Sequence, residues 1–321
     1  TSAPIGASTV ASRWFIRKRG RAIGIIFLIG AIGGVVFTMV ASLIVENHGL
    51  RATWIIIGLI VLMVSVAPSL LLVAERPEDI GLLPDGVNPD IEGVNSDSKF
   101  PAWVFAAGAP AAVALQPRVI GDDSWTLGEA IHTRTFCLLV TMGFAAFFVH
   151  TSIGVHIGAY FRDIGLGPTS AALAVSLSWM VSAFGSVTWG WVTDRVDVRY
   201  AYSGMFLFQA GSTLYLIFVG GTVGVFLVAG LFGIVSAGSN VVPSMMYANY
   251  FGRSALGKIR GLGEVGVLVG QATGPVIAGI LFDIQGGYST IFMVFVVMAL
   301  SCSLLVLKAK APVKKPALPV S

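Results

Sequence analysis

Polar and charged positions in this chain come in short bursts, and the stretches between them are apolar and of a common length. Eight such stretches occupy residues 22–45, 52–74, 135–157, 168–190, 200–219, 221–244, 261–282 and 289–307. Each is close to the roughly 20 residues that a helix needs to cross a hydrocarbon layer about 30 Å thick. The alternating period of a membrane β-strand is absent from them. They predict an all-α polytopic membrane protein. A further apolar segment, "PAWVFAAGAPAAVALQP" at residues 101–117, is short and interrupted by Gly108 and Pro110. It reads as part of one long loop over residues 75–134, whose "ERPEDIGLLPDGVNPDIEGVNSDS" portion has linker composition.

Composition agrees with the pattern. Only 11% of the residues are charged and 55% are hydrophobic, against about 25% charged in a soluble domain; the mean hydropathy is +0.86. Glycine is plentiful, as helices that pack closely in lipid require. Cys137 and Cys302 both fall inside predicted spans and have no metal or redox spacing. They read as small core residues, and the sequence implies no cofactor and no metal.

The charges set the orientation. Arg13, Arg17, Lys18, Arg19 and Arg21 crowd the entrance to the first span. With that cluster inside and each span reversing the chain, 18 of the 20 Lys and Arg residues fall in cytoplasmic segments. Only Arg51 and Arg162 fall outside. Excess positive charge on the cytoplasmic side is the general rule, so the cluster is a topology anchor. The basic tail, residues 308–321, is then cytoplasmic, and the expected location is the plasma (inner) membrane. Because the cations flank apolar spans, the pI of about 9.2 does not signal nucleic acid.

A repeat organises the spans. Sliding the opening region onto a later one lays Gly20, Gly24, Gly33 and Gly49 over Gly257, Gly261, Gly270 and Gly286. Arg21 meets Lys258, Glu46 meets Asp283 and Thr53 meets Thr290. The first two spans thus correspond to the last two. If the six spans of residues 135–307 are one unit, residues 1–74 are the remainder of a matching six-span half. The expectation is eight of twelve spans in a 6 + 6 arrangement, with "TSAPIGASTVAS" as the end of a preceding helix. Two such halves joined by a cytoplasmic loop form a transporter architecture.

Four motifs carry a resemblance to the major facilitator superfamily. "GWVTDRVDVR", residues 190–199, resembles the superfamily's G-x-x-x-D-R-x-x-x-R loop. "SRWFIRKRGRAIGI", "RPEDIGLLPDG" and "YFGRSALGKIRGL" followed by "GPVIAGILFDIQGGYS" resemble its monocarboxylate-transporter and oxalate:formate-antiporter branch. The resemblance implies the major facilitator fold and secondary active transport of a small solute by alternating access. An organic anion such as a carboxylate is one such solute, coupled to H⁺ or exchanged for another anion. The partners are that solute and the lipid bilayer, with a monomer expected. The chain departs from the branch in one respect: no predicted span after Thr135 contains Arg or Lys to neutralise an anion.

The D-R loop also has its own physical reading. Gly190 allows close helix approach, and Asp194 sets a carboxylate beside Arg195 and Arg199. It is placed to face the N-terminus of the span opening at Gly261, where backbone N–H groups are unpaired. Such a contact is a cytoplasmic gate; the alternative is an ordinary charged loop. Inside the spans, ionisable groups are functional suspects. His150 lies deep in its span, where it binds solute, carries a proton or simply bonds a backbone carbonyl. His156 lies nearer the outer surface and corresponds to a His of the branch's seventh helix. Glu264 is a solute candidate or a carboxylate held by its helix N-terminus. Gln209, Asn240 and Gln271 are cavity candidates or interhelical glue; Asn240, next to Pro243, is the best of them. An enzyme is disfavoured because His150, the His deep in its span, has no Ser, Cys or carboxylate partner on its own helix face. A non-transporting receptor on the same fold remains the alternative.

Overall fold

A computed structural model describes residues 3–15, 18–66, 125–252 and 255–312. The segments "RPEDIGLLPDG" and "PAWVFAAGAPAAVALQP" lie outside the described residues. The described chain is helical: α1 Ala3–Trp14, α2 Arg19–Val61 with a π-helical turn Leu62–Val66, α3 Leu127–Ile131, α4 Arg134–Asp163, α5 Pro168–Thr193, α6 Val198–Phe218, α7 Gly221–Phe251, α8 Leu256–Gln285 and α9 Ser289–Val306. Among the described residues, six stretches are long and apolar enough to cross a membrane: Asn47–Val64 in α2, most of α5, and α4, α7, α8 and α9. The other two expected spans are helical as well. In one of them, α6, the polar residues Ser203, Gln209, Ser212 and Thr213 are all buried, so its polarity faces protein and not lipid.

Local chemistry explains the boundaries. Gly165, Gly252 and Gly286 have positive φ at helix ends, a conformation that costs an L side chain but not glycine. Gly49 (φ 77°) interrupts α2, so the expected spans at residues 22–45 and 52–74 meet at one residue; residues 67–74 of the second lie outside the described residues. Gly49 and Gly286, paired by the internal repeat, both have positive φ, but their ψ values differ, 169° at Gly49 and 20° at Gly286. Pro168 begins α5, where its missing N–H costs nothing. Within the expected loop at residues 75–134, α3 is opened by a reciprocal cap between Thr126 and Glu129. α8 starts at Leu256, earlier than its apolar stretch implies.

The tightest packing is glycine-mediated. Gly266, Gly270 and Gly274 form a stripe on α8, and a Cβ at any of them would strike the backbone carbonyls of Val140, Phe144 and Phe148 on α4. α5 lies against α7, and α6 against α9. α2 lies against α5, where a Cβ on Gly190 or Gly20 would strike the other's carbonyl oxygen. Ser186 Oγ donates to Gly24 O there at 2.8 Å. After α9 the chain folds back: Tyr250 and Thr135 hydroxyls donate to the carbonyls of Ala309 and Lys310. Cys302 is buried and Cys137 is exposed.

Candidate functional site

A cavity of about 110 Å³ lies between α2, α4, α7 and α8. Phe27, Leu139, Gly143, Phe147 and Val267 make its apolar wall, and Ser239, Asn240, Tyr247, Arg260, Glu264 and Gln271 its polar one. Three of the five sequence-nominated solute residues, Asn240, Gln271 and Glu264, therefore meet in one place. Pro243 lines it too, inside α7.

Arg260 corrects the sequence reading, which counted it among loop cations and left the spans after Thr135 without Arg or Lys. The early start of α8 draws it into the helix, where it is 5% exposed. Its Nε lies 3.4 Å from Glu264 Oε1 one turn on, and its Nη1 donates to Ser8 Oγ on α1. A guanidinium so deeply buried requires such partners, because removing an unpaired charge from water is costly. Apolar windows alone miss Arg260; the signal that finds it is helix phase, since Arg260 and Glu264 lie one turn apart on the same face.

His150 and Gln209 lie elsewhere. The His150 ring stacks on Phe232 with centroids 4.8 Å apart, and its Nε2 is 3.4 Å from Ser236 Oγ. It reaches the cavity through Phe147, edge-on at 6.0 Å, and through Ser236, whose carbonyl accepts from Asn240 Nδ2 at 2.8 Å. Gln209 Nε2 donates to Ala146 O at 3.2 Å, which joins α6 to α4. His156 bridges α4 to Pro275 O and the Tyr288 hydroxyl.

At the basic end, Asp194 does not face the start of α8. Its carboxylate accepts from the backbone N–H groups of Gly20 at 2.7 Å and Arg21 at 3.2 Å, and so caps the N-terminus of α2. Its cation is Arg21, 3.6 Å away, not Arg195 or Arg199. Arg195 lies over the Trp191 ring at 3.9 Å, and Arg199 pairs with Asp197 at 2.8 Å. Hydrogen bonding from Arg199 holds the Asp197 carboxyl below the ordinary carboxylate range. Arg19 Nη1 donates to Asn249 Oδ1 at 2.9 Å and ties α2 to α7. The helix N-terminus, two N–H groups and a guanidinium together explain a carboxylate side chain only 6% exposed.

Long apolar helices, glycine contacts between their backbones, and a buried guanidinium paired with a carboxylate inside the bundle define an integral membrane protein of the polytopic helical class. Comparison with known proteins makes the class specific. The Major Facilitator Superfamily matches residues 2–160 and 136–320; the chain belongs to that superfamily. Monocarboxylate transporter 12-B of Danio rerio is 24% identical over 307 residues, covering 91% of this chain. The chain spans 61% of that relative's length.

Proposed function

We propose that this chain forms part of a secondary active transporter. In this reading a small solute occupies the cavity, and access alternates as the half containing α1 and α2 rocks against the six-helix half from α4 to α9. The domain bounds follow the sequence: residues 1–74, the loop 75–134, residues 135–307 and the tail 308–321. The observation that carries the reading is the Asp194 cap on α2. It joins the two halves beside the mutual contact of Gly20 and Gly190, and it consists of hydrogen bonds that can break and reform without unfolding either helix. The cavity draws its wall from both halves, as a site with alternating access must. Positive-inside topology sets the Asp194 end in the cytoplasm, so the cap closes the cytoplasmic side.

The solute class is a small organic anion. A buried guanidinium in the wall suits a carboxylate, and the relative's name includes monocarboxylates. Asn240 and Gln271 supply neutral hydrogen bonds to the rest of the solute, coupled H⁺ or an exchanged anion balances its charge, and the protein works as a monomer.

The test is counterflow in proteoliposomes of the full-length protein, with labelled acetate, pyruvate and benzoate. Uptake of at least one against its gradient is expected, and Arg260→Gln should abolish it. Binding without counterflow across the panel would make the protein a receptor on this fold.

A further inference from the structure

Arg260 belongs to two places at once. It stands in the cavity wall, and it holds α8 to α1, because its Nη1 donates to Ser8 Oγ. Thr9, next to Ser8, confirms how near the helices are: a Cβ on Gly257 would lie 3.7 Å from Thr9 Cγ2. We propose that Arg260 is a solute-operated clasp between α1 and α8. An anionic solute takes the terminal edge of the guanidinium and displaces Ser8, while Glu264 keeps Nε. The proposal rests on the cavity being the solute site.

The choice of edge follows from charge. A guanidinium offers a carboxylate two bidentate edges, one through Nε and one through the two terminal nitrogens. Glu264 is at Nε, 3.4 Å away, and Ser8 is at Nη1. Taking the Nε edge would push a carboxylate off its cation and leave it beside a second anion, in a site with little water. Taking the terminal edge displaces only a hydroxyl, whose bond is neutral on the acceptor side. A serine in a helix can turn its hydroxyl to the carbonyl one turn back. The solute therefore replaces Ser8, and the α1–α8 tie is lost as the anion seats. Occupancy of the cavity and parting of the helices become one event at one side chain.

The two helices can be trapped together. In full-length protein with its native cysteines replaced, Thr9→Cys and Gly257→Cys should form a disulfide on mild oxidation in the membrane. Sodium acetate, pyruvate or benzoate, whichever drives counterflow in the unmodified protein, should slow the trapping about fivefold or more; sodium chloride should not. Ser8→Ala should slow trapping without any anion, abolish the further response, and tighten half-saturation by roughly 3- to 10-fold, since one neutral hydrogen bond no longer competes. Ser8→Thr, which keeps the hydroxyl, should restore the original behaviour. The clasp is overturned if an anion that is transported leaves trapping unchanged, or if Ser8→Ala does. Should no carboxylate support counterflow, the solute reading fails instead, and Ser8→Ala in the trapping assay still decides the clasp.

Discussion

Two glycine-lined contacts in this protein resemble each other in backbone geometry and differ in chemistry. On α8, Gly266, Gly270 and Gly274 run against the carbonyls of α4 over two full turns. At the start of α2, Gly20 and Gly24 meet Gly190 and Ser186 of α5. The α4–α8 seam is continuous and sealed by packing. The α2–α5 seam ends in Asp194, two backbone N–H groups and Arg21. Dispersion contacts are lost as soon as surfaces separate by a fraction of an ångström, so a glycine stripe alone resists sliding and parting. Charge-assisted hydrogen bonds at the end of a seam can be exchanged for water. On the proposed alternating-access reading, the first contact holds and the second opens.

The largest effect should come from the sealed seam. Gly270→Val sets a branched side chain against the Phe144 carbonyl, with no route for α4 to yield, and should cost about 3 kcal/mol. Little monodisperse protein should survive detergent extraction. Normal yield and melting temperature would mean that this seam also opens.

Gly190→Val makes the same collision at the other seam, against Gly20. The protein should fold, because α2 can swing away, at a cost nearer 1 kcal/mol. A cysteine at Thr193, buried in the present structure, should become several times more reactive to a water-soluble maleimide. Loss of the protein equal to that of Gly270→Val would erase the distinction between the seams.

Asp194→Asn keeps the shape and removes the charge. A charge-assisted bond contributes about 1.5–3 kcal/mol and a neutral one about 1, so the closed seam should weaken by roughly 1 kcal/mol with the melting temperature almost unchanged. The readout is again labelling at Thr193. Unaltered labelling and transport would reduce the loop to a topology anchor.

The smallest effect belongs to Asp197, three positions on but with its side chain 42% exposed. Its surface pair with Arg199 contributes only ~0–1 kcal/mol. Because its folded-state pKa is depressed, that contribution is present above the ordinary carboxylate value near 3.9. It is lost as pH falls through the lower, folded value. Asp197→Asn, which keeps the cap that the side chain makes on α6 through the Arg199 N–H, should therefore shift stability slightly at neutral pH and not at all at strongly acid pH. An effect as large as that of Asp194→Asn would show that exposure does not separate the two carboxylates.

Much of this was legible in residue order. Helix number and class follow from hydropathy over windows of about 20 residues, because lipid demands that every backbone polar group be bonded within its own helix. Turn glycines such as Gly49 and Gly286 announce themselves through the repeat, since a positive φ recurs at both. Asn240, Gln271 and Glu264 stood out as polar residues in apolar surroundings, and they line one cavity. His150 and Gln209 stood out by the same rule, yet each is taken up by neighbours on other helices. Polarity in a span marks a residue that needs a partner, and only packing decides whether that partner is protein or solute.

What the sequence by itself determined is whatever depends on a residue and its chain neighbours: spans, caps, turns, and a carboxylate at the end of α5. Tertiary structure alone decided which helix N-terminus that carboxylate caps. It chose α2, because Gly190 lets α2 come near enough for Asp194 to reach the N–H groups of Gly20 and Arg21. It likewise turned Arg260 from a loop cation into a buried one, shared between the cavity and Ser8. Charge in a sequence has a sign and an address along the chain; its dielectric surroundings and its partner come from helices hundreds of residues away, and those two set its energy.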